Sequence, residues 1–218
     1  MAGLDITKST GSDGLSPRML KSASLSTART LCKLFNLTIS TGIFPTAWKL
    51  GRITPIPKGT VNTLPSGYRP ISVLPVASKL IECHVKAVME EFLAKHAPIS
   101  AKQWGFMSGR STVSALIRVL DDWHRALDQG NEVRVVFFDV SKAFDTVPHL
   151  PLLQKLIEVG MDPYLIRWTR NNLAGRSQFV CVDGCDSRPL PVLSGIPQGS
   201  ILGPLLFICQ LQFPLTVM

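Results

Sequence analysis

A short apolar run near the middle of the chain most restricts what it can fold into. Residues 133–138 read VRVVFF, and β-branched and aromatic residues at this density are typical of a buried strand. Asp139 follows the run directly. A carboxylate at the edge of a buried strand is costly unless it meets a cation. Asp139 is therefore either a turn residue or part of a functional site, and this run alone favours the turn residue.

The composition indicates a folded protein with a cationic surplus. Hydrophobic residues make up 45% of the 218 positions, which is enough for one large domain or two small ones. The 23 lysines and arginines exceed the 15 aspartates and glutamates, giving a net charge of +8. Because the chain is otherwise poor in charge, this surplus suggests a polyanionic partner such as a nucleic acid.

The cysteines and the hydropathy pattern bear on the compartment. The five cysteines are odd in number and scattered, which argues against a disulfide framework and favours an intracellular, reducing compartment. The nucleus and the cytoplasm both remain open. The first ten residues lack the pattern of a signal peptide, and the longest apolar run, at 201–209, is about half a membrane span. We therefore expect a soluble protein with no membrane partner.

Helical periodicity is strongest at residues 75–96, where apolar residues recur every three or four positions. Capping residues and apolar spacing predict four further helices, at 16–40, 111–130, 148–159 and from 162 onward. The apolar side chains expected to face inward from the helix at 148–159 are Leu150, Leu153, Leu156 and Ile157. An apolar helix is also expected to follow the turn at 194–200.

Two hairpins are predicted from short β-branched stretches and turn residues. The first pairs residues 52–54 with 68–73 across a polar tip. The second has Asp183-Gly184 as its turn, between strands at 178–182 and 188–193.

Four segments of the chain, taken together, resemble one family. In chain order they are YRPISVLPVASKLIE (68–82), QWGFMSGRST (103–112), FFDVSKAFDTVPH (137–149) and SGIPQGSILGPLLF (194–207). In this order they resemble reverse transcriptases of non-LTR, LINE-type retrotransposons, over about residues 13–207. The resemblance implies RNA-directed DNA synthesis and an α+β, right-hand polymerase fold with fingers and a partial palm.

The same resemblance suggests how the single domain is divided. The fingers would cover about residues 13–130, the partial palm about 131–207, and a divergent tail 208–218. The family's catalytic hairpin, an aromatic residue followed by any residue and two aspartates, does not occur after Phe207. We therefore expect a fragment that is truncated before the catalytic hairpin and the thumb, and that is inactive alone.

The resemblance also assigns a metal site. Nucleotidyl transfer uses two divalent cations, and hard cations need carboxylate ligands. Asp139 matches the family's first catalytic, metal-binding carboxylate, and Val140 would add its backbone carbonyl, so that the two would hold Mg²⁺. Asp145 is expected to be a turn or capping residue rather than a ligand.

Four residues match the family's nucleotide-binding positions. Lys58 and Arg69 would neutralise the triphosphate. Phe144 would pack under the sugar and exclude a 2′ hydroxyl, or it is an ordinary core aromatic. Gln198 would present its amide from a rigid turn.

The expected partners are an RNA template, a DNA primer and deoxynucleoside triphosphates. Arg110 is expected to contact the template, and Arg52 is a weaker candidate for the same region. The oligomeric state stays open.

Three other interpretations stay open. The basic fingers could bind RNA or primer–template without chemistry. A metal-dependent nuclease could use Asp139 and Asp145, although this leaves the PQG and YRPIS segments unexplained. The chain could also be an unstable relic, because a palm cut before its catalytic hairpin leaves apolar surface on the central strand uncovered.

Overall fold

The computed structural model describes residues 4–59 and 64–213. In these ranges the chain forms seven α-helices and five β-strands. The helices are α1 (Pro17–Ser22), α2 (Ser24–Thr41), α3 (Val76–His96), α4 (Thr112–Asp128), α5 (His149–Glu158), α6 (Pro163–Leu173) and α7 (Gly203–Gln212). The strands are β1 (Leu50–Pro57), β2 (Tyr68–Val73), β3 (Arg176–Val182), β4 (Cys185–Asp186) and β5 (Leu190–Val192). Part of the predicted polar tip, residues 60–63, and the end of the predicted tail, residues 214–218, lie outside the described residues.

The strands form one mixed sheet in which β1 has two neighbours. β1 pairs antiparallel with β2, with Arg52 opposite Val73, and this confirms the first predicted hairpin. β1 also pairs in parallel with β3, where Arg52 lies opposite Phe179. β3 in turn pairs antiparallel with β4 and with β5. The turn at Asp183-Gly184 is confirmed, although the strand directly after it is only two residues long.

The predicted helices are confirmed, with one break. Ser16 caps α1 by accepting a hydrogen bond from the Met19 amide, and Ser111 caps α4 through a capping box with Ser114. The helix expected over 16–40 is interrupted at Ala23, within a serine-rich stretch of weak helix propensity. It ends at Gly42, whose φ of +68° is left-handed, a backbone conformation that glycine adopts without steric cost.

The core lies between α3, α5, α6 and α7. Four apolar residues of α3 are essentially inaccessible to solvent: Ile81, Val85, Met89 and Leu93. Trp168 of α6 packs edge to face on Phe44 at a centroid distance of 5.3 Å. In α5, Leu153 and Leu156 are buried as predicted, but the prediction is wrong for Leu150 and Ile157. Both line an open groove between α5 and α6.

The central apolar run does not form the predicted buried strand. Residues 131–140 have no regular secondary structure, and Phe137 and Phe138 are 86% and 93% exposed. A strand is stabilised by its ladder partners and by the surface it packs on, and none of the described strands pairs with this run. The apolar face of α4 is exposed as well; its members are Val113, Leu116, Ile117, Leu120 and Leu127.

None of the described helices is both long and apolar enough to span a bilayer.

Candidate active site

A cleft of about 690 Å³ lies between the β1–β2 hairpin and the segment that follows the central run. Six of the seven residues that the sequence analysis assigned to sites line it: Lys58, Arg69, Asp139, Val140, Phe144 and Gln198. They come from four separate parts of the sequence. The fold therefore brings the predicted metal-binding and nucleotide-binding residues into one cleft.

The hairpin supplies the cations of the cleft. The Lys58 amide donates to the Gly67 carbonyl at 2.9 Å, which closes the hairpin where β1 ends. The Lys58 ammonium donates to the Ser66 carbonyl at 3.0 Å. Arg69 lies opposite Ile56 on β2 and is exposed. Two cations at one end of the hairpin favour an anionic ligand.

The acidic residues of the cleft, Asp139 and Asp145, lie just before and within a tight turn at residues 141–146. Asp139 and Val140 are exposed. Lys142 follows with a φ of +49°, an uncommon conformation for a residue with a side chain. Its carbonyl accepts from the Asp145 amide at 2.8 Å and from the Thr146 amide at 3.1 Å, as in the turn predicted for Asp145. In the described ranges, no cluster of three or more histidine, cysteine or acidic side chains has the arrangement of a metal site.

Phe144 is both a lining residue of the cleft and a core aromatic. Its ring stacks on Phe207 at 4.8 Å with the planes 19° apart. Phe106 meets it edge to face at 5.8 Å. Two ring contacts restrict the rotation of Phe144, so the two interpretations of this residue are compatible.

The turn at residues 197–202 lies against β2. The Ser72 amide donates to the Gln198 carbonyl at 2.6 Å. Gly199 has a φ of +128°, and a Cβ atom at this position would collide with the Ser72 carbonyl oxygen. Glycine is required here because both the backbone conformation and the space exclude a side chain.

The turn and the residues just before it are also bonded to the segment around Asp145. The Gln198 side-chain amide donates to the Asp145 carboxylate at 2.9 Å. The Ser194 hydroxyl donates to the Asp145 carbonyl at 3.1 Å, and the Ile196 amide donates to the Phe144 carbonyl at 2.8 Å. These bonds fix Gln198 relative to both walls of the cleft.

A comparison with known proteins supplies the family. The family profile described as "Reverse transcriptase (RNA-dependent DNA polymerase)" matches residues 56–215. The chain belongs to the reverse transcriptase family. The resemblance found in the sequence, and the mixed helix and sheet content expected from it, are confirmed.

The relatives of this reverse transcriptase chain come from mobile elements. A probable RNA-directed DNA polymerase from transposon BS of Drosophila melanogaster is 32% identical over 94% of the chain and 22% of the relative. The RNA-directed DNA polymerase from mobile element jockey of the same species is 32% identical over 95% of the chain and 23% of the relative. The Pol polyprotein from retrotransposable element R2 of Popillia japonica is 28% identical over 93% of the chain and 28% of the relative. The chain thus spans less than a third of each of these relatives.

Two candidate residues, Arg110 and Arg52, are not among the described residues that line the cleft. The Arg110 guanidinium donates to the carbonyls of Ala101 and Gln103. It also lies 5.3 Å from the centre of the Trp104 ring, so that it holds its own loop together. The Nε of Arg52 is buried in the sheet, and it has no hydrogen-bond partner in the part of the chain that the structure describes.

One residue behind the cleft was missed by sequence reasoning. Glu82 of α3 is 1% exposed, and its carboxylate accepts hydrogen bonds from the amides of Ile201 and Leu202. Burial raises the pKa of Glu82, against the opposing effects of these bonds and of the Arg176 guanidinium. The signal was in the sequence, because Glu82 is the one charged residue on the described buried face of α3, next to Ile81 and Val85.

Proposed function

We propose that the chain is the nucleotide-binding part of an RNA-directed DNA polymerase of a non-LTR retrotransposon. In this proposal the fingers cover about residues 13–130, part of the palm covers about 131–207, and 208–218 form a divergent tail. The observation that carries the proposal is the single cleft that collects Lys58, Arg69, Asp139, Phe144 and Gln198. Family membership indicates the chemistry, and the cleft indicates where the nucleotide binds.

Each wall of the cleft suits one part of a deoxynucleoside triphosphate. Lys58 and Arg69 provide charge-assisted hydrogen bonds for the phosphates. Phe144, which is held by Phe207, provides a flat apolar surface under the sugar, where a 2′ hydroxyl would clash. Gln198 provides its amide oxygen and one N–H for the nucleotide or its base pair, since only its other N–H is bonded to Asp145.

The residues of the cleft fit Mg²⁺. This ion binds one or two carboxylates and completes its shell with water and phosphate oxygens, and Asp139 is an exposed carboxylate in the same cleft as two phosphate-binding cations. Asp139 and the Val140 carbonyl would hold it. When bound, Mg²⁺ activates the primer hydroxyl and neutralises charge on the phosphates.

Asp139 alone does not complete a two-metal site. The other acidic residue that lines the described cleft, Asp145, is hydrogen-bonded to Gln198. Two-metal chemistry needs further carboxylates to hold the second ion. We therefore infer that these 218 residues bind primer–template and nucleotide but catalyse negligible synthesis without residues from elsewhere.

The nucleic-acid partners are an RNA template and a DNA primer. The net charge of +8 favours binding to their phosphates. Arg110 remains the proposed template contact. Its guanidinium also orders the loop at 101–110, so a substitution there would change both the loop and the contact.

Binding to an RNA–DNA primer–template with a bound nucleotide tests the proposal. Fluorescence anisotropy in Mg²⁺ at several salt concentrations should show affinity that falls steeply with salt. Replacing Lys58 and Arg69 together by alanine should weaken binding about tenfold or more and reduce the salt slope by about two. The matched control replaces Lys33 and Arg170, two exposed cations away from the cleft. Equal losses in both double variants would contradict the proposed site.

Primer extension tests the catalytic part separately. The wild-type chain and Asp139→Ala should both give background synthesis on an RNA template in Mg²⁺. Clear synthesis by the wild type that Asp139→Ala abolishes would show that the chain is active alone. Salt-sensitive binding without synthesis would agree equally with a binding module that has lost its chemistry. A longer polypeptide that includes further carboxylates distinguishes the two, since only the polymerase regains synthesis.

A further inference from the structure

Glu82 is an ionisable group that lies almost fully buried in the core. It lies in the middle of α3, beside Ile81 and Val85, which are both fully buried. A carboxylate in such a place loses its hydration, and this is unfavourable unless hydrogen bonds or a cation replace the water. The structure supplies both kinds of compensation.

The hydrogen bonds of Glu82 all have identifiable donors. One carboxylate oxygen accepts from the Ile201 amide at 2.8 Å and from the Leu202 amide at 3.4 Å. The other accepts from the Ser78 hydroxyl at 3.3 Å. The guanidinium of Arg176, buried on β3, contributes a favourable charge interaction.

The two amides belong to the turn that carries Gln198. Ile201 and Leu202 immediately precede α7, where backbone amides have no partner within the helix. Within the turn, the Ser200 amide donates to the Pro197 carbonyl at 3.1 Å, and the Ser200 hydroxyl accepts from the Gly203 amide at 2.9 Å. The turn is therefore short and internally bonded, so a displacement at Ile201 is transmitted to Gln198.

We propose that Glu82 is a positioning residue that holds the 197–202 turn from the core side and thereby sets the direction of the Gln198 side chain. This rests on the proposed function only in taking Gln198 as the residue that faces the nucleotide. An apolar side chain at position 82 would avoid the desolvation cost, but it would leave two buried amides without an acceptor. A neutral amide would keep the acceptor.

Two substitutions at position 82 distinguish the loss of the hydrogen-bond acceptor from a change in side-chain volume. Glu82→Met fills similar volume without an acceptor, whereas Glu82→Gln keeps one oxygen for both backbone amides. Lys155→Met is the matched control, because Lys155 is also buried and donates to the Gln210 carbonyl of α7, away from the turn. All three variants are made in the full chain.

The readout is the side-chain amide signal of Gln198 in nuclear magnetic resonance spectra, which reports its bond to Asp145. The indole signal of Trp168, whose N–H donates to the Thr38 hydroxyl in the core, reports the fold. We expect Glu82→Met to shift the Gln198 signal toward that of a free amide while the Trp168 signal stays. Glu82→Gln and Lys155→Met should leave both signals in place. An unchanged Gln198 signal in folded Glu82→Met overturns the proposal.

Hydrogen exchange of the wild-type chain keeps the proposal testable if Glu82→Met does not fold. The amides of Ile201 and Leu202 should exchange at least about a hundredfold more slowly than those of exposed loops. Exchange at loop rates would show that Glu82 does not hold them.

Nucleotide binding then connects the positioning role to function. Glu82→Met should weaken nucleotide binding about tenfold, the effect of about one hydrogen bond, and Glu82→Gln should restore it. Unchanged affinity in Glu82→Met, together with a loss in Gln198→Ala, would overturn the inference and leave the proposed function intact. If the wild type binds no nucleotide, the proposed function fails, and the Gln198 signal alone decides whether Glu82 positions the turn.

Discussion

The side-chain amide nitrogen of Gln198 lies 2.9 Å from the carboxylate of Asp145. This bond orients the Gln198 amide, because one of its two N–H groups is held by Asp145, and it leaves the other N–H and the oxygen for a ligand. Asp145 therefore has a role that its expected place in a turn did not suggest: it orients a neighbouring side chain on another segment. A double-mutant test shows whether Asp145 and Gln198 contribute to nucleotide binding together or independently.

Asp145→Ala should weaken nucleotide binding several-fold, because Gln198 loses its orienting partner. The double variant with Gln198→Ala should bind no more weakly than Gln198→Ala alone, since coupled residues give non-additive losses. Titration with a fluorescent nucleotide measures all four proteins. Additive losses would mean that Asp145 acts independently of Gln198.

Gly195→Ala should destabilise the fold more than Gly160→Ala. Both glycines have left-handed backbones, with φ values of +86° and +79°, so both substitutions carry a backbone cost of about 1–2 kcal/mol. A Cβ at Gly195 would also lie 2.6 Å from the Asp145 carbonyl oxygen, whereas the space at Gly160 is open. Crowding of this kind adds about 1–3 kcal/mol. Urea denaturation measures the free energy of unfolding of both variants. Equal losses of stability would show that the backbone at Asp145 can shift to make room for the added Cβ.

The buried Glu82 predicts a specific pH dependence. Burial raises its pKa in the folded chain, so the folded state binds this proton more tightly than the unfolded state. The free energy of unfolding of the wild type should therefore fall, relative to Glu82→Gln, as the pH rises from about 4. The fall should end once the pH passes the raised pKa. The titratable neighbours of Glu82, namely Arg176, Lys79 and Cys83, are common to both proteins.

Urea denaturation of both proteins over a series of pH values that starts at about pH 4 measures this dependence. A difference between the two free energies of unfolding that does not change with pH would contradict the prediction.

Two leucines in helices should respond very differently to truncation. Leu93→Ala removes a fully buried side chain of α3 and should cost about 2–5 kcal/mol. Leu116→Ala, on the exposed face of α4, should change stability by less than about 0.5 kcal/mol. Thermal unfolding measures both. A large loss of stability in Leu116→Ala would mean that α4 packs against a partner in solution. Sedimentation velocity would then show whether that partner is a second copy of the chain.

The cysteines should differ in reactivity. Burial raises the pKa of Cys209 to about 12, and the thiolate is the reactive form. Cys32 and Cys185 are exposed. A thiol reagent at neutral pH should modify these two in the folded protein and reach Cys209 only in urea, as mass spectrometry of the labelled peptides would show. Labelling of Cys209 at the rate of Cys32 would indicate that α7 opens readily.

The sequence predicted the helix ends well because their causes are local. The side chains of Ser16, Ser111 and Asp162 each accept a hydrogen bond from a backbone amide two or three residues further on. Gly42 ends α2 with a left-handed backbone conformation of its own. The first hairpin was predictable for the same reason. Such signals need no knowledge of the rest of the fold.

The sequence could not show which surfaces meet. Residues 133–138 have the composition of a buried strand, but composition does not supply a neighbour, and Phe138 is exposed. Arg110 has the sequence context of a template contact, yet its guanidinium bonds to carbonyls of its own loop, which no spacing reveals. Glu82 stands out in the sequence as a charged residue beside buried apolar ones, but its partners, Ile201 and Leu202, lie far along the chain and could not be predicted.

Six of the predicted site residues line the cleft, but the sequence did not predict how they are brought together. The resemblance indicated Lys58, Arg69, Asp139 and Gln198 as a set. The bond between Ser72 and Gln198, which brings the hairpin and the turn together, depends on the close approach that Gly199 permits.

The parallel pairing of β1 with β3 has a consequence for how the protein is made. β1 is synthesised early, but its partner on one side, beginning with Ser177 opposite Leu50, emerges more than a hundred residues later. At about 5–20 residues per second, the β1 edge of the finished β1–β2 hairpin stays without its β3 partner for roughly 5–20 s. During that interval the nascent chain exposes an unpaired strand edge, which is the kind of surface that chaperones protect and that other chains can join.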